Sequence, residues 1–212
     1  MSLVVKPIEA TTVSFEQYYN FIQDAYAERV EQGLHFFCTT LTIDELKMDI
    51  EKTGAHTYLG FLDNNPGEIA ASVSVAYRYD KEGKYAWFHL VATNNKIKGR
   101  GVGTEMLQTM IDMARDNGCH YISLSTATKA TSAVKFYEKN GFFKTSYYQL
   151  LSWGGYRAYN FRYQIIHPSK WDCRAYRWMV YVLKTPKQVF KTLIKPIYQS
   201  YKKIGKWKSE KK

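Results

Sequence analysis

Apolar residues recur along this chain with two periods, and the switches between the periods mark out the elements. Phe15, Tyr18, Tyr19, Ile22 and Tyr26 fall at helical spacing, behind Ser14-Phe15-Glu16-Gln17. That tetrad fits a capping box, in which a Ser hydroxyl and a Gln three residues on satisfy amides at the start of a helix. Thr42-Ile43-Asp44-Glu45 repeats the device and opens a second helix to about Lys52. The period then drops to two. Residues 57–62 lead through the turn Asn64-Asn65-Pro66-Gly67 to residues 69–79. In this second segment Ala71, Val73, Val75, Tyr77 and Tyr79 share one face, and Ala70, Ser72, Ser74, Ala76 and Arg78 the other. The two segments read as the strands of a hairpin. Residues 85–93 form another strand, with Trp87, His89 and Val91 on one face and Phe88, Leu90 and Ala92 on the other.

A helical stripe of Leu107, Met110, Ile111 and Ala114 follows, stopped by Gly118. Residues 121–126 are a strand and 131–140 a helix closed by Gly141. Residues 142–152 and 156–166 make a last hairpin about Gly154-Gly155, and a short strand at 4–8 precedes all of these. The order β-α-α-β-β-β-α-β-α-β-β implies an α/β domain with a mixed sheet.

Charge divides the 212-residue chain in two. Its net charge is +11. Residues 1–166 hold 17 Lys+Arg and 17 Asp+Glu, whereas residues 167–212 hold 13 and 2. The chain therefore reads as a neutral domain, 1–166, with a basic extension, 167–212. In that extension Val189, Phe190, Leu193, Ile194, Ile197, Tyr198, Tyr201 and Ile204 fall on one side of a helical wheel, with Lys191, Lys195 and Lys202 on the other. An amphipathic basic helix over 187–204 has three readings. It packs on the body or on a sister subunit in a homodimer, it lies on an anionic membrane surface, or it binds nucleic acid. Nucleic acid rests on charge alone, since no recognised nucleic-acid module precedes it.

No window approaches the roughly 20 apolar residues of a membrane span, and the N-terminus has no signal-type apolar stretch. A cytoplasmic protein is expected, with the inner membrane surface as the place the second reading implies. Cys38, Cys119 and Cys173 are too few and too scattered for a disulfide framework or a zinc site, and His35, His56, His120 and His167 lack converging ligand spacing. No metal is expected.

The candidate chemistry lies in Lys98-Gly99-Arg100-Gly101-Val102-Gly103-Thr104, which follows a strand and opens a helix. Alternate glycines turn the backbone tightly and aim its amides at one point, and a helix N-terminus adds its positive end. This suits a pyrophosphate, with Lys98 and Arg100 at the rim. A plain strand-to-helix turn is the competing reading. No Lys follows the last glycine as in a P-loop, and the G-x-G-x-G spacing is not the dinucleotide fingerprint.

Lys98-Gly99-Arg100-Gly101-Val102-Gly103 resembles motif A of the GNAT superfamily of acyl-CoA-dependent N-acetyltransferases, with Lys98 in place of the usual Gln or Arg. Ala133-Val134-Lys135-Phe136-Tyr137-Glu138-Lys139-Asn140-Gly141-Phe142 resembles motif B. The resemblance covers roughly residues 3–166. It implies a mostly antiparallel twisted sheet flanked by helices, whose fourth and fifth strands splay apart. It implies acetyl-CoA as co-substrate, its pantetheine arm on the backbone of Ala92, Thr93 and Asn94 and its pyrophosphate on the amides of Gly99 to Thr104. An Asn that family members often carry before motif B is Ala130 here, so Thr131 or Ser132 would supply that contact.

The resemblance further implies direct attack of an amine on the thioester, with Tyr137 as general acid. His89 matches a histidine that acts as base in the arylalkylamine branch, where a second histidine stands at the position of Trp87. The alternative for each is a packed core residue. Tyr77, Tyr79 and Asp80 are further candidates as pocket walls, and Trp87, Phe36, Phe37 and Tyr26 would add an aromatic substrate side. A small-molecule amine acceptor is expected. The contrasting reading is a non-catalytic acyl-CoA-binding module tethered through its tail.

Overall fold

Both capping boxes form. The Ser14 hydroxyl accepts from the Gln17 amide and the Gln17 side chain accepts from the Ser14 amide, opening α1 (Phe15–Glu31). Thr42 and Glu45 do the same for α3 (Ile43–Thr53), which ends on Gly54 in the left-handed conformation. Between them lies a single turn that hydrophobic spacing does not announce, α2 (Phe37–Thr40). The computed structural model describes residues 2–150 and 157–166, with side chains described outside 146–150. The basic extension 167–212, the helix expected over 187–204 and the turn expected at Gly154-Gly155 lie outside the described residues.

Seven strands form one sheet, in the order β1-β2-β3-β4-β5-β7-β6. They are β1 (Leu3–Pro7), β2 (His56–Leu62), β3 (Asn65–Asp80), β4 (Gly83–Thr93), β5 (Tyr121–Ala127), β6 (Phe143–Leu150) and β7 (Arg157–Gln164). All neighbours are antiparallel except β4 and β5, which run parallel and are joined through the crossover helix α4 (Val102–Asp116). The remaining helix, α5 (Thr131–Lys139), follows β5 and closes on Gly141. This is the α/β arrangement expected from the element order.

Each sheet face has its own core. Tyr18 and Ile22 of α1, Leu46 and Ile50 of α3, and Leu59 and Phe61 of β2 pack on one side. Met106, Leu107, Met110 and Ile111 of α4 and Val134 and Tyr137 of α5 pack with Val73, Val75 and Phe161 on the other. The described residues contain no helix long and apolar enough to cross a membrane.

Two local departures matter for the site. The β2–β3 turn is Asp63-Asn64, not Asn64 to Gly67. The register jumps from Leu62↔Asn65 to Phe61↔Ile69, so Pro66, Gly67 and Glu68 are extra residues bulged from the hairpin. A proline cannot donate to the ladder, and a bulge accommodates it. The bulge carries Glu68 to the end of β4, where its carboxylate accepts from Asn94 Nδ2 at 2.9 Å.

The second departure is in β4. Ser74 pairs with His89 and Ser72 with Ala92, so Leu90 and Val91 together face the single residue Val73. Leu90 sits at φ +50°, the left-handed region that costs an L-residue strain, and it makes the bulge. The bulge breaks the simple alternation. Phe88 packs in the α4 core, whereas Leu90 and Ala92 pack in the α1–α3 core on the same side as Trp87 and His89.

Leu107 is 1% exposed and mounts α4 on the sheet. Leu107→Ala should lower the unfolding free energy by about 2–5 kcal/mol, read from urea denaturation curves with an unchanged m-value.

Candidate functional site

β4 and β5 touch only at Tyr85↔Tyr121, Ala86↔Ile122 and Trp87↔Ser123. That end is braced. Tyr85 stacks on Tyr121 at 4.8 Å between ring centres, the Tyr121 hydroxyl donates to Asp80 at 2.6 Å, and buried Arg162 lies over the Tyr121 ring while pairing with Glu82 at 2.8 Å. Past Trp87 no β4 residue pairs with β5. The strands diverge there, as the resemblance implied.

A cavity of about 350 Å³ fills the gap. Its walls come from both sides of the sheet. Tyr26 and Arg29 of α1, Phe36, Phe37 and Cys38 around α2, and Arg78 of β3 stand on one side. Trp87 to Val91 of β4 and Leu124 to Thr126 of β5 form the edges, and Tyr137 of α5 stands opposite. A volume of this order suits a small ligand or the reactive end of a larger one.

His89 and Tyr137, the two residues expected to do acid–base work, thus line one cavity. Tyr137 packs between Phe136, Phe142 and Phe161. Burial pushes its hydroxyl up to about 12, against a small opposing effect of the Arg29 charge, so the phenol keeps its proton through neutral pH. The His89 ring stacks on Trp87 with 4.4 Å between centres, and Arg78 caps the other ring at 4.3 Å. Both His89 nitrogens are buried without a hydrogen-bond partner among the described residues. Burial first, and the Arg78 charge second, hold its pKa down to about 4. The imidazole is therefore neutral at pH 7, with one donor and one acceptor available to an occupant of the cavity.

The glycine loop lies at the head of α4. Gly99 (φ +82°) and Gly101 (φ +86°) both adopt the left-handed region, and Gly101 is the N-cap. Its carbonyl already takes the amides of Thr104 and Glu105, and Ile97 takes that of Arg100 at 3.4 Å. The amides of Gly99, Gly101, Val102 and Gly103 have no acceptor among the described residues. They form the open, positively polarised end that an anion would fill. Gly103 has no room for more: a Cβ there would stand 3.1 Å from Thr93 Oγ1 and 3.6 Å from Phe136. The end of β4, the head of α4 and α5 are thereby held in close contact.

Other expected contacts fall differently. Lys98 Nζ pairs with Glu28 at 2.9 Å, which lowers the Glu28 pKa and turns the lysine toward α1. Arg100 stays exposed at the rim. Asn94 is used inside the fold: its amide donates to Ala70 O at 2.9 Å and its carbonyl accepts from Ile97. Ala92 and Thr93 pair with Ser72 and Ala71 of β3. Thr131 and Ser132 are exposed at the start of α5, whose N-cap Ala130 offers no side-chain cap.

Trp87, Tyr26, Phe36 and Phe37 line the cavity, but Tyr77, Tyr79 and Asp80 do not. Tyr77 packs at the α4 core, Tyr79 is 76% exposed, and Asp80 serves the brace at Tyr121. The opposite face of β3, through Arg78, supplies that wall instead. Sequence spacing did not single out Cys38, Leu124, Ser125 and Thr126 as site residues, nor the two charged lining residues, Arg29 and Arg78. Among the described residues no group of His, Cys, Asp and Glu could hold a metal ion.

Because the His89 pKa falls on folding, the native state binds fewer protons than the unfolded chain. Its contribution to stability is complete above about pH 6.5 and is lost as pH falls toward 4, up to about 3 kcal/mol. His89→Gln should flatten that part of the stability profile relative to the parent chain, measured by urea unfolding at pH 7 and pH 4.5.

A sequence model of the acetyltransferase (GNAT) family matches residues 15–142. The Bacillus subtilis (strain 168) uncharacterized protein YdhI is 29% identical over 79 residues, which are 37% of this chain and 46% of YdhI, so the match spans under half of that relative. Among solved structures, the NatC complex bound to Gag peptide and CoA aligns with a TM-score of 0.61 at 16% identity, over 78% of this chain and 100% of the matched one. A GNAT-family acetyltransferase from Streptococcus pneumoniae aligns with a TM-score of 0.55 at 18% identity, over the same shares. The fold is shared with both, and the family match covers more than half of the sequence: the chain belongs to the acetyltransferase (GNAT) family.

Proposed function

We propose that this chain moves an acetyl group from acetyl-CoA to the primary amine of a small molecule, by direct attack. The observation that carries this reading is the continuity of the site. The cavity in the β4–β5 gap holds Tyr137 and His89, and the open amides of α4 lie beside the end of the same strand, with Gly103 against Thr93.

Acetyl-CoA supplies the acyl group as an activated thioester. The amides of Gly99, Gly101, Val102 and Gly103 hold its pyrophosphate, and the unpaired edge of β4 beyond Trp87 receives the pantetheine arm, near Ala92 and Thr93. Val91 O is already an acceptor on that stretch, taking the Tyr26 hydroxyl at 3.0 Å. The amine nitrogen bonds to the acyl carbon as the carbon–sulfur bond breaks. Tyr137 gives its proton to the departing sulfur and recovers one from solvent, while the amine's surplus proton leaves to water. A phenol kept protonated by burial is in the correct state for this at neutral pH.

We read His89 as a residue that positions the amine, since its lowered pKa makes it a weak base. An imidazole with a pKa near 4 lies about six units below an alkylammonium, roughly 8 kcal/mol uphill for proton transfer. The acceptor must therefore enter the cavity as the neutral amine, and His89 offers it a hydrogen bond.

Tyr137→Phe keeps the ring packing and removes only the acid. It should lower kcat by roughly 10²-fold or more while leaving acetyl-CoA binding intact, measured by calorimetry and CoA release. Unchanged turnover would remove the assignment. Gly101→Ala forces a side chain into the left-handed region at a cost of about 1–2 kcal/mol, and should weaken CoA binding by about tenfold. Binding of acetyl-CoA with no turnover on a broad amine panel would favour a non-catalytic acyl-CoA-binding module.

A further inference from the structure

Among the described residues the charges on the cavity wall are all of one sign: the lining contains Arg29 and Arg78 and no carboxylate. The other titratable groups there are uncharged at neutral pH: His89 is held near pKa 4, Tyr137 and Cys38 are pushed up to about 12, and Tyr26 is raised well above its usual range. Neither arginine makes an ion pair among the described residues. Glu28, next to Arg29 in sequence, is taken by Lys98. Residues 146–156 contain no acidic residue.

Both guanidinium groups are held by rings. Arg29, half-buried, lies 5.7 Å from the Tyr26 ring centre and 5.9 Å from that of Phe36. Arg78, exposed at the mouth, lies over Trp87. Cation–π contact of this kind holds a guanidinium against the wall and leaves N–H groups for an anionic oxygen group. Two unpaired cations on an apolar wall also repel an ammonium ion, so a polycationic amine would meet the opposite of a complementary field.

We infer that the acceptor is an amine carrying its own anionic oxygen group, a carboxylate or a phosphate, which Arg29 and Arg78 hold while His89 meets the amine. This rests on the acetyltransferase reading above and names its substrate class. The same two charges favour the neutral form of a nearby amine, which supplies what a weakly basic His89 does not.

The test uses the full chain with acetyl-CoA and matched acceptors. Amino acids are compared with their carboxamides, and an aminoalkyl phosphate with the corresponding amino alcohol, by initial rates of CoA release. The expected result is a kcat/KM at least tenfold higher for the acidic member of a pair. The carboxylate and phosphate arms tell which oxyanion is preferred. In Arg29→Gln and Arg78→Gln the ratio of acid to neutral partner should fall toward one.

Equal or better use of the neutral partners, or of polyamines, would overturn the inference. If no acceptor turns over, the CoA-loaded protein is titrated calorimetrically with the N-acetyl acids and N-acetyl amides. Tighter binding of the acids supports the inference, and equal or absent binding overturns it. Failure of acetyl-CoA itself to bind would instead overturn the acetyltransferase reading, and a separate titration with acetyl-CoA alone distinguishes that case.

Discussion

The separation of β4 from β5 is the constraint on which the rest of the molecule depends. Two parallel strands joined for three residues and then parted leave unpaired backbone groups in the middle of a sheet, a state that costs free energy unless something fills the gap. The cost is localised by a brace at one end. Arg162, Tyr121, Tyr85 and Asp80 lock the strands together, so divergence begins past Trp87 and nowhere else. β5 stays ordered because β7 pairs with all seven of its residues, and β4 because β3 pairs along its other edge. The opening is thus a feature of two well-held strands.

The same opening sets the electrostatics. Side chains that line it are withdrawn from bulk water, so burial moves their titration in the direction that removes charge. One physical cause leaves Tyr137 and Cys38 protonated and His89 unprotonated. Arginine does not neutralise under such pressure, because its guanidinium stays protonated across the accessible pH range. Among the described lining residues, what remains charged is therefore the two arginines, and the field they make is set by what the other residues gave up.

Much of this was legible in the sequence, and the limits have specific causes. Elements with local signatures came through: two capping boxes, the glycine stops at Gly118 and Gly141, and the α4 stripe all depend on residues a few positions apart. Tyr137 was named by its resemblance to motif B and His89 by a matching histidine of one branch of the superfamily, and the structure brings both side chains to one cavity. The failures are matters of register. A single bulge at Leu90 moves Leu90 and Ala92 to the other face of β4, which strict alternation cannot express. Tyr77 and Tyr79 drew notice as aromatics, but pairing of Trp87 with Ala76 and His89 with Ser74 puts the even-numbered face of β3 toward the cavity. Alternation puts Arg78 on that face with Ser72 and Ser74. Only its position over Trp87 gives it meaning, and that position is a long-range fact.

The bulge deserves a causal place beside the gap. Without it Leu90 and Ala92 would continue the Phe88 face and leave the α1–α3 core, where both are now buried. With it, β4 keeps Trp87 and His89 on the α1 side before the bulge and still returns Leu90 and Ala92 to that side after it. The left-handed Leu90 stores local strain that burial of its side chain, 4% exposed, offsets. The strained residue lies between His89, which faces the cavity, and Val91, whose carbonyl accepts the Tyr26 hydroxyl from α1. Strain, side-chain burial and the α1 contact act on three consecutive residues, so the fold cannot relax the bulge without also moving the imidazole and the free edge of β4. The geometry of the site is in this sense fixed by the packing of α1 as much as by the strands that line it.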